Sequence, residues 1–166
     1  MGTVMVTLSG LFYILLPVSL IPFITNSSLS DGYDPRILLG TLFIIWIYDT
    51  GAYIFGSLLG KHKMAPGISP KKSWEGLIGG LVFAFLSSIV IAQYFTLLNQ
   101  VDWIVLSLII VLTSTTGDLF ESLIKREAGV KDSGKIFPGH GGMLDRFDSV
   151  LMAIPFVFLY LYLFKI

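Results

Sequence analysis

The chain has 166 residues, of which 54% are hydrophobic and 13% are charged, and its formal net charge is zero. Soluble domains usually carry about 25% charged residues. The composition therefore excludes an ordinary soluble domain and indicates a membrane protein, with residues 1–166 forming a single membrane domain. The absence of cysteine excludes disulfides, cysteine nucleophiles and thiolate metal sites.

Five apolar segments predict membrane spans, because a helix needs roughly 20 apolar residues to cross about 30 Å of hydrocarbon. In chain order they cover residues 4–25, 37–59, 76–97, 103–120 and 149–164. No basic residue precedes the first segment, so we expect a retained span rather than a cleaved signal peptide. The fold class predicted is all-α, a polytopic transmembrane helix bundle, in which residues 1–36 form the first span and an outer loop.

The basic residues predict how the bundle is oriented. Nine of the eleven Lys and Arg residues lie in two loops, residues 60–73 and 121–148, which are two spans apart. Basic residues concentrate in cytoplasmic loops. We therefore predict a multi-pass protein of the inner (cytoplasmic) membrane, with both loops and the N-terminus on the cytoplasmic side and the C-terminus outside.

Small and aromatic residues mark the ends of the predicted spans. Gly76 and Gly80 have the G-x-x-x-G spacing that lets two helices pack closely. Trp74 and Trp103 lie at predicted membrane interfaces, where aromatic rings anchor spans.

Four aspartates require an explanation. Asp49 lies about twelve residues into the second span, where a carboxylate is costly unless it faces a polar cavity or a partner. Asp118 ends the fourth span, and Asp145 and Asp148 are three residues apart, on one face of a helix. A functional site is one interpretation. A packing ion pair for Asp49, and favourable helix-end positions for the others, are the alternatives.

Asp118 and Asp145 flank one loop, so both can reach the same cytoplasmic mouth of the bundle. Converging carboxylates form a hard, oxygen-rich site of the kind that suits Mg²⁺. The sequence lacks the soft ligands that zinc favours, and His62 and His140 do not form a metal-spaced pair.

Basic residues accompany these acids and predict phosphate binding, since phosphoryl chemistry needs cations beside the phosphate oxygens. They are Lys71, Lys72, Lys125, Arg126, Lys131 and Lys135. The alternative is that they only set topology and contact anionic lipid. The glycine-rich segment 137–142 permits close backbone approach to a phosphate, or is an ordinary tight turn.

Three stretches of the chain together resemble one family. They are residues 49–53 (DTGAY), residues 60–76, and residues 122–148, which end in PGHGGMLDRFD. The last stretch fixes more than a dozen residue types and resembles the signature of the phosphatidate cytidylyltransferase (CDP-diacylglycerol synthase) family. Members of that family usually have additional N-terminal spans. The chain therefore resembles their C-terminal part, with residues 37–166 as the catalytic transmembrane region.

The resemblance implies Mg²⁺-dependent transfer of a cytidylyl group from CTP to phosphatidate, giving CDP-diacylglycerol and pyrophosphate in phospholipid biosynthesis. It implies metal binding by Asp118, Asp145 and Asp49, and catalytic roles for Asp118, Asp145, Lys125, Arg126 and His140. The substrate-binding residues that it implies are Ser69, Pro70, Lys71, Lys72, Lys131, Gly141, Gly142 and Asp148. A second, monovalent cation and a homodimer are left open, and no nucleic acid partner is expected.

Two other readings remain. A CDP-archaeol synthase or a polyprenol kinase would use CTP at a similar membrane site, and the span surfaces that select the lipid cannot be interpreted from sequence. A non-enzymatic transporter would use Asp49 as a coupling-ion ligand. That reading does not explain the glycine-histidine loop or the spacing of Asp118 and Asp145.

Overall fold

Five helices and one β-hairpin make up the described residues of the chain in the computed structural model. The structure describes residues 2–26, 29, 32–127, 129–130, 142 and 144–165, and their side chains except those of 2–9, 145 and 146. The helices are α1 (Gly2–Thr25), α2 (Arg36–Leu59), α3 (Trp74–Tyr94), α4 (Gln100–Glu127) and α5 (Leu144–Phe164), and the strands are β1 (Lys63–Ala65) and β2 (Ser69–Ser73). The chain is an all-α membrane helix bundle, as predicted, with a short hairpin added.

The predicted spans correspond to these helices. Among the described residues, four stretches are long and apolar enough to cross a membrane: α2, α3, α4 and residues Phe147–Phe164 of α5. In α1 the described side chains begin at residue 10, and Gly10–Thr25 is apolar but shorter than the four spans. The core contains buried aliphatic side chains from all five helices, such as Ile24, Ile44, Ala84 and Ile154.

The main error in the predicted boundaries concerns α4. The sequence predicted that this span ends at residue 120, but the helix continues to Glu127. Glu, Lys and Arg are good helix formers, so a polar run need not end a helix. Lys125 and Arg126 lie in the last turn, where the helix dipole favours positive charge. Similarly, α5 begins at Leu144, five residues earlier than predicted.

Residues 60–73 were predicted as a loop and form an antiparallel hairpin, in which Lys63 lies opposite Ser73. The hairpin is held to the start of α3. The Trp74 N–H donates to the His62 carbonyl over 3.0 Å, and the Glu75 carboxylate is 2.6 Å from His62 Nδ1. Ser73 caps α3 by accepting a hydrogen bond from the Gly76 N–H. This attachment fixes the direction in which β2 presents its lysines.

The G-x-x-x-G spacing packs α3 against α2, as predicted. A methyl group placed on Gly80 would lie 2.7 Å from the Tyr48 ring and 2.9 Å from the Tyr48 carbonyl oxygen. A methyl group on Gly76 would lie 2.8 Å from the carbonyl oxygen of Ala52. Real Cβ contacts are not this short, so only glycine permits this helix spacing.

We expect Gly80→Val to destabilise the bundle by about 1–3 kcal/mol, the usual cost of overpacking a core. The backbone oxygen of Tyr48 cannot move aside as a side chain could. Thermal unfolding in detergent measures the effect. Gly10→Val on α1 is the matched control, because nothing lies within 4 Å of its Cβ position. Equal melting temperatures for the two variants would contradict the packing assignment.

The prediction for Trp103 is wrong. Its side chain is completely buried rather than at an interface, and its indole N–H donates to the Phe95 carbonyl over 3.0 Å. Trp74 is 52% exposed, as an interface residue would be.

Charged pairs close the end of the bundle where α4 begins and α5 ends. The buried carboxylate of Asp102 accepts a hydrogen bond of 2.8 Å from the Tyr160 hydroxyl and lies 2.8 Å from Lys165 Nζ. At the start of α2, the Arg36 guanidinium donates hydrogen bonds to the Asp34 carboxylate and holds the pKa of that carboxyl below its ordinary value. The contacts of Asp102 tie the start of α4 to the end of α5, whereas the Arg36–Asp34 pair is local to the start of α2.

Candidate active site

Asp118, on α4, connects three elements at the hairpin end of the bundle. One carboxylate oxygen pairs with the Lys72 ammonium group from β2. The other accepts a hydrogen bond of 2.7 Å from the Ser149 hydroxyl on α5. The Asp118 and Lys72 side chains are 24% and 25% exposed, so a solute can still reach this half-buried pair.

Two cavities meet at this pair, and polar or charged residues make up most of the lining of each. One, of about 420 Å³, lies among α2, α4 and α5 and is lined by Trp46, Asp49, Lys72, Asp118, Glu121, Ser122, Lys125, Asp148 and Ser149. The other, of about 280 Å³, lies between α2 and the hairpin, where Tyr53, Met64 and Lys71 contribute to its wall. We call them the acidic cavity and the hairpin cavity. Asp49, Lys72 and Asp118 line both cavities.

Asp49 faces these cavities rather than a packing partner. Among the described side chains it has no ion pair or hydrogen bond, and it is exposed to the cavity space. Of the two interpretations left open by the sequence, the polar cavity is therefore favoured. Its neighbour Tyr48 bonds Thr115 Oγ1 over 2.5 Å. Because Thr115 already donates to the Val111 carbonyl, the Tyr48 hydroxyl is the donor, and it fixes α2 to α4 beside the site.

Glu121 is an acid of this site to which the sequence analysis assigned no role. Its side chain is 3% exposed, and one carboxylate oxygen lies 2.9 Å from Lys125 Nζ. Its other oxygen is buried and has no partner among the described residues. Ser114, Asp118, Glu121 and Lys125 are spaced by four, three and four residues. This spacing places them on one helix face and was the signal available in the sequence.

Asp148 adds a fourth carboxylate next to those of Asp118 and Glu121. One of its oxygens accepts from the Ser149 N–H over 2.8 Å. Asp145 lies in the first turn of α5, one turn before Asp148, and its side chain lies outside the described part of the structure. Its predicted metal role stays a prediction.

The other predicted site residues lie in the hairpin, at the end of α4, or among the residues that the structure does not describe. Ser69 and Pro70 begin β2, beside Ile68, whose carbonyl accepts a 3.5 Å hydrogen bond from Arg126 Nε. The structure thus places Arg126 at the hairpin turn rather than at the acids. It was predicted as a catalytic residue together with Lys125, which does line the acidic cavity.

Three predicted residues, Lys131, His140 and Gly141, lie outside the described residues. Gly142 is described and buried, just before α5. The predicted roles of these four residues remain predictions. The contacts of Lys72 and Arg126 do place the hairpin and the end of α4 at the same end of the bundle, as the charge pattern required.

Comparison with known proteins places this site in a family. The model of the cytidylyltransferase family matches residues 1–164 of the chain. The chain belongs to the cytidylyltransferase family.

Curated relatives within this range are named phosphatidate cytidylyltransferase. The protein from Haemophilus influenzae is 48% identical over 140 residues, which is 81% of this chain and 48% of the relative. The protein from Staphylococcus haemolyticus is 49% identical over 128 residues, or 76% of this chain and 48% of the relative. The protein from Staphylococcus aureus is 50% identical over 120 residues, covering 71% and 46%. The chain spans about half the length of the curated relatives that it matches.

Among the described residues, the side chains of the acidic cavity that could bind a metal ion offer oxygen donors. Among the described side chains, no three Asp, Glu or His residues converge into a complete metal centre. Mg²⁺ usually binds through one or two carboxylates together with substrate phosphates. A site with Asp118 and Asp49 beside room for phosphate groups fits that mode of binding.

Proposed function

We propose that the chain transfers a cytidylyl group from CTP to phosphatidate in a Mg²⁺-dependent reaction, giving CDP-diacylglycerol and pyrophosphate. The observation that carries this proposal is the Asp118–Lys72 pair, which stands between two polar cavities at one end of a membrane bundle. The names of the relatives support the same reaction.

In this reaction a phosphate oxygen of phosphatidate attacks the α-phosphorus of CTP. The bond from that phosphorus to the oxygen bridging to the β-phosphate breaks, and pyrophosphate leaves with the electron pair. The nucleophile is already an anion, so the site does not need a strong general base. Catalysis then depends on bringing two anions together and on neutralising their charge. The described site contains lysines suited to that task, and carboxylates that would hold a metal ion.

Lys72 is positioned to act on both reacting phosphates because it lines both cavities. The triphosphate would lie in the hairpin cavity beside Lys71 and Lys72, and the lipid phosphate in the acidic cavity beside Lys125. Asp118, with Asp145 and Asp49, would hold Mg²⁺. Bound Mg²⁺ would supply positive charge to the triphosphate oxygens.

The location of the site suits one soluble and one lipid substrate. The proposed orientation places the hairpin end of the bundle on the cytoplasmic side, where CTP is available, following the positive-inside rule. Phosphatidate would arrive from the surrounding leaflet.

Pyrophosphate release by purified, detergent-solubilised chain tests the proposal. We expect release that requires CTP, phosphatidate and Mg²⁺ together and that is lost in the Asp145→Asn variant. Replacing phosphatidate with an isoprenoid phosphate should greatly reduce it. A folded chain that binds CTP but releases no pyrophosphate with any lipid phosphate would contradict the proposed reaction.

A further inference from the structure

A third cavity, of about 520 Å³, lies among α1, α2 and α5 and is lined by apolar residues only. Ile14 and Val18 line it from α1, Leu42 from α2, and Phe147 and Leu151 from α5. We call it the apolar groove. Its volume is within the range of about 300–1,000 Å³ that is common for small-molecule sites.

On α2, the residues that line the groove are followed by the residues that line the acidic cavity. Leu38 and Leu42 line the groove, and Trp46 and Asp49 line the acidic cavity. These four residues are spaced by four, four and three positions, so they form one stripe on the helix. At 1.5 Å per residue the stripe is about 16 Å long, with the carboxylate at one end.

The other two helices place polar groups beside the groove. On α5, Asp148 and Ser149 face the acidic cavity and lie between two groove residues, Phe147 and Val150. On α1, Tyr13 precedes a groove residue, Ile14, and its hydroxyl lies near Asp148 and Glu121. That hydroxyl is buried and has no hydrogen-bond partner among the described residues.

We propose that the apolar groove holds one acyl chain of the lipid whose phosphate binds in the acidic cavity. An apolar groove that lies beside a cavity with charged side chains matches an amphiphile with one polar head and an apolar chain. This inference rests on the proposed function and identifies how its lipid substrate is held.

The groove would fix the position of the lipid and would add little to the affinity of the lipid for the protein. Lipid chains are as apolar as the leucines of the groove, so moving a chain from the bilayer into it gains little hydrophobic energy. The chain instead fixes where the phosphate stands relative to Lys72 and Lys125.

A photoreactive lipid tests this placement without depending on turnover. The probe is phosphatidate with a diazirine in the middle of one acyl chain, in nanodiscs containing the chain. We expect the crosslinks to concentrate on groove residues of α1, α2 and α5. A phosphatidylcholine with the same diazirine chain should label the lipid-facing surfaces of all helices without that preference.

Two variants of α1 provide the matched comparison. Val18 lines the groove and is 50% exposed, whereas Leu15 is 59% exposed and does not line it. Val18→Trp should reduce groove labelling by about tenfold, because a filled site excludes the chain. Leu15→Trp should leave the labelling unchanged.

Labelling by phosphatidate that is as dispersed as labelling by phosphatidylcholine would overturn the groove assignment, as would equal labelling of the two tryptophan variants. Pyrophosphate release from the same samples separates the two proposals. Turnover with dispersed labelling leaves the reaction standing and removes the groove. Groove labelling without turnover keeps a lipid-phosphate site and removes the transfer reaction.

Discussion

Asp118→Asn should lower the turnover of CTP by about 10³-fold, the loss expected when a preorganised charged group is removed from a reaction centre. The variant loses the partner of the Lys72 ammonium group and the proposed metal ligand together. The amide oxygen can still accept the hydrogen bond of Ser149. The pair is about one-quarter exposed, so we expect a small loss of stability, about 1 kcal/mol or less.

Asp102→Asn is the matched control on the same helix. Asp102 also pairs with a lysine and accepts a hydroxyl hydrogen bond, from Tyr160, but it lies at the opposite end of α4. Its side chain is 6% exposed, so weakening these contacts should cost about 1–3 kcal/mol of stability. Its turnover per folded molecule should be unchanged. Pyrophosphate release and thermal unfolding, measured on both variants, should therefore give opposite patterns.

Asp118 and Asp102 are the same residue type on the same helix, so a difference between their variants reports the position on that helix. If both variants lost turnover equally, the loss would report general damage to α4, and the assignment of Asp118 would be wrong. If Asp118→Asn kept full Mg²⁺-dependent turnover, neither the metal nor the charge role of Asp118 could stand.

The sequence predicted the helices well because membrane spans are defined by local composition. A run of about 20 apolar residues is helical in a bilayer wherever it lies in the chain. The errors occurred where a polar segment is helical and where an aromatic residue near a span end is buried. Residues 121–127 are polar but continue α4, and Trp103 is an aromatic residue near a span end that packs in the core.

Asp49 and Asp118 were found from sequence because charge is rare and costly in a span, and Asp148 because it follows Asp145 by three residues just before a span. Their contacts could not be found this way. The pairing of Lys72 with Asp118 depends on a hairpin between two spans, and nothing local to residues 60–73 fixes where its strands point. The hairpin is oriented by the contacts of His62 with Trp74 and Glu75, and both of these residues belong to the first turn of α3.

The residues missed by the sequence analysis are neutral or paired in the fold. Ser149 is important only because its hydroxyl reaches Asp118 across two helices. Glu121 lies at the start of a segment that was predicted as a loop, and its burial follows from the packing of α4 against its neighbours. Tertiary contacts, not sequence patterns, give these side chains their place beside the site.

Lys72→Gln should lower kcat/KM by about 10²-fold, the scale of removing one charged group that stabilises a transition state. Lys72 lines both polar cavities, so the loss should be seen with CTP as the varied substrate and also with phosphatidate. The variant also leaves Asp118 without its ammonium partner among the other carboxylates. Steady-state kinetics with each substrate varied in turn measures both effects.

Lys63→Gln separates this local role from the general charge of the hairpin. Lys63 is exposed on β1, and its side chain lines neither of the two polar cavities. Both variants remove one positive charge from the same hairpin, so any long-range attraction of CTP falls equally. A loss confined to Lys72→Gln would assign the effect to the contact with the reacting phosphates. Equal losses would mean that the hairpin lysines act only through their summed field, and a loss seen with CTP alone would place Lys72 on the nucleotide side only.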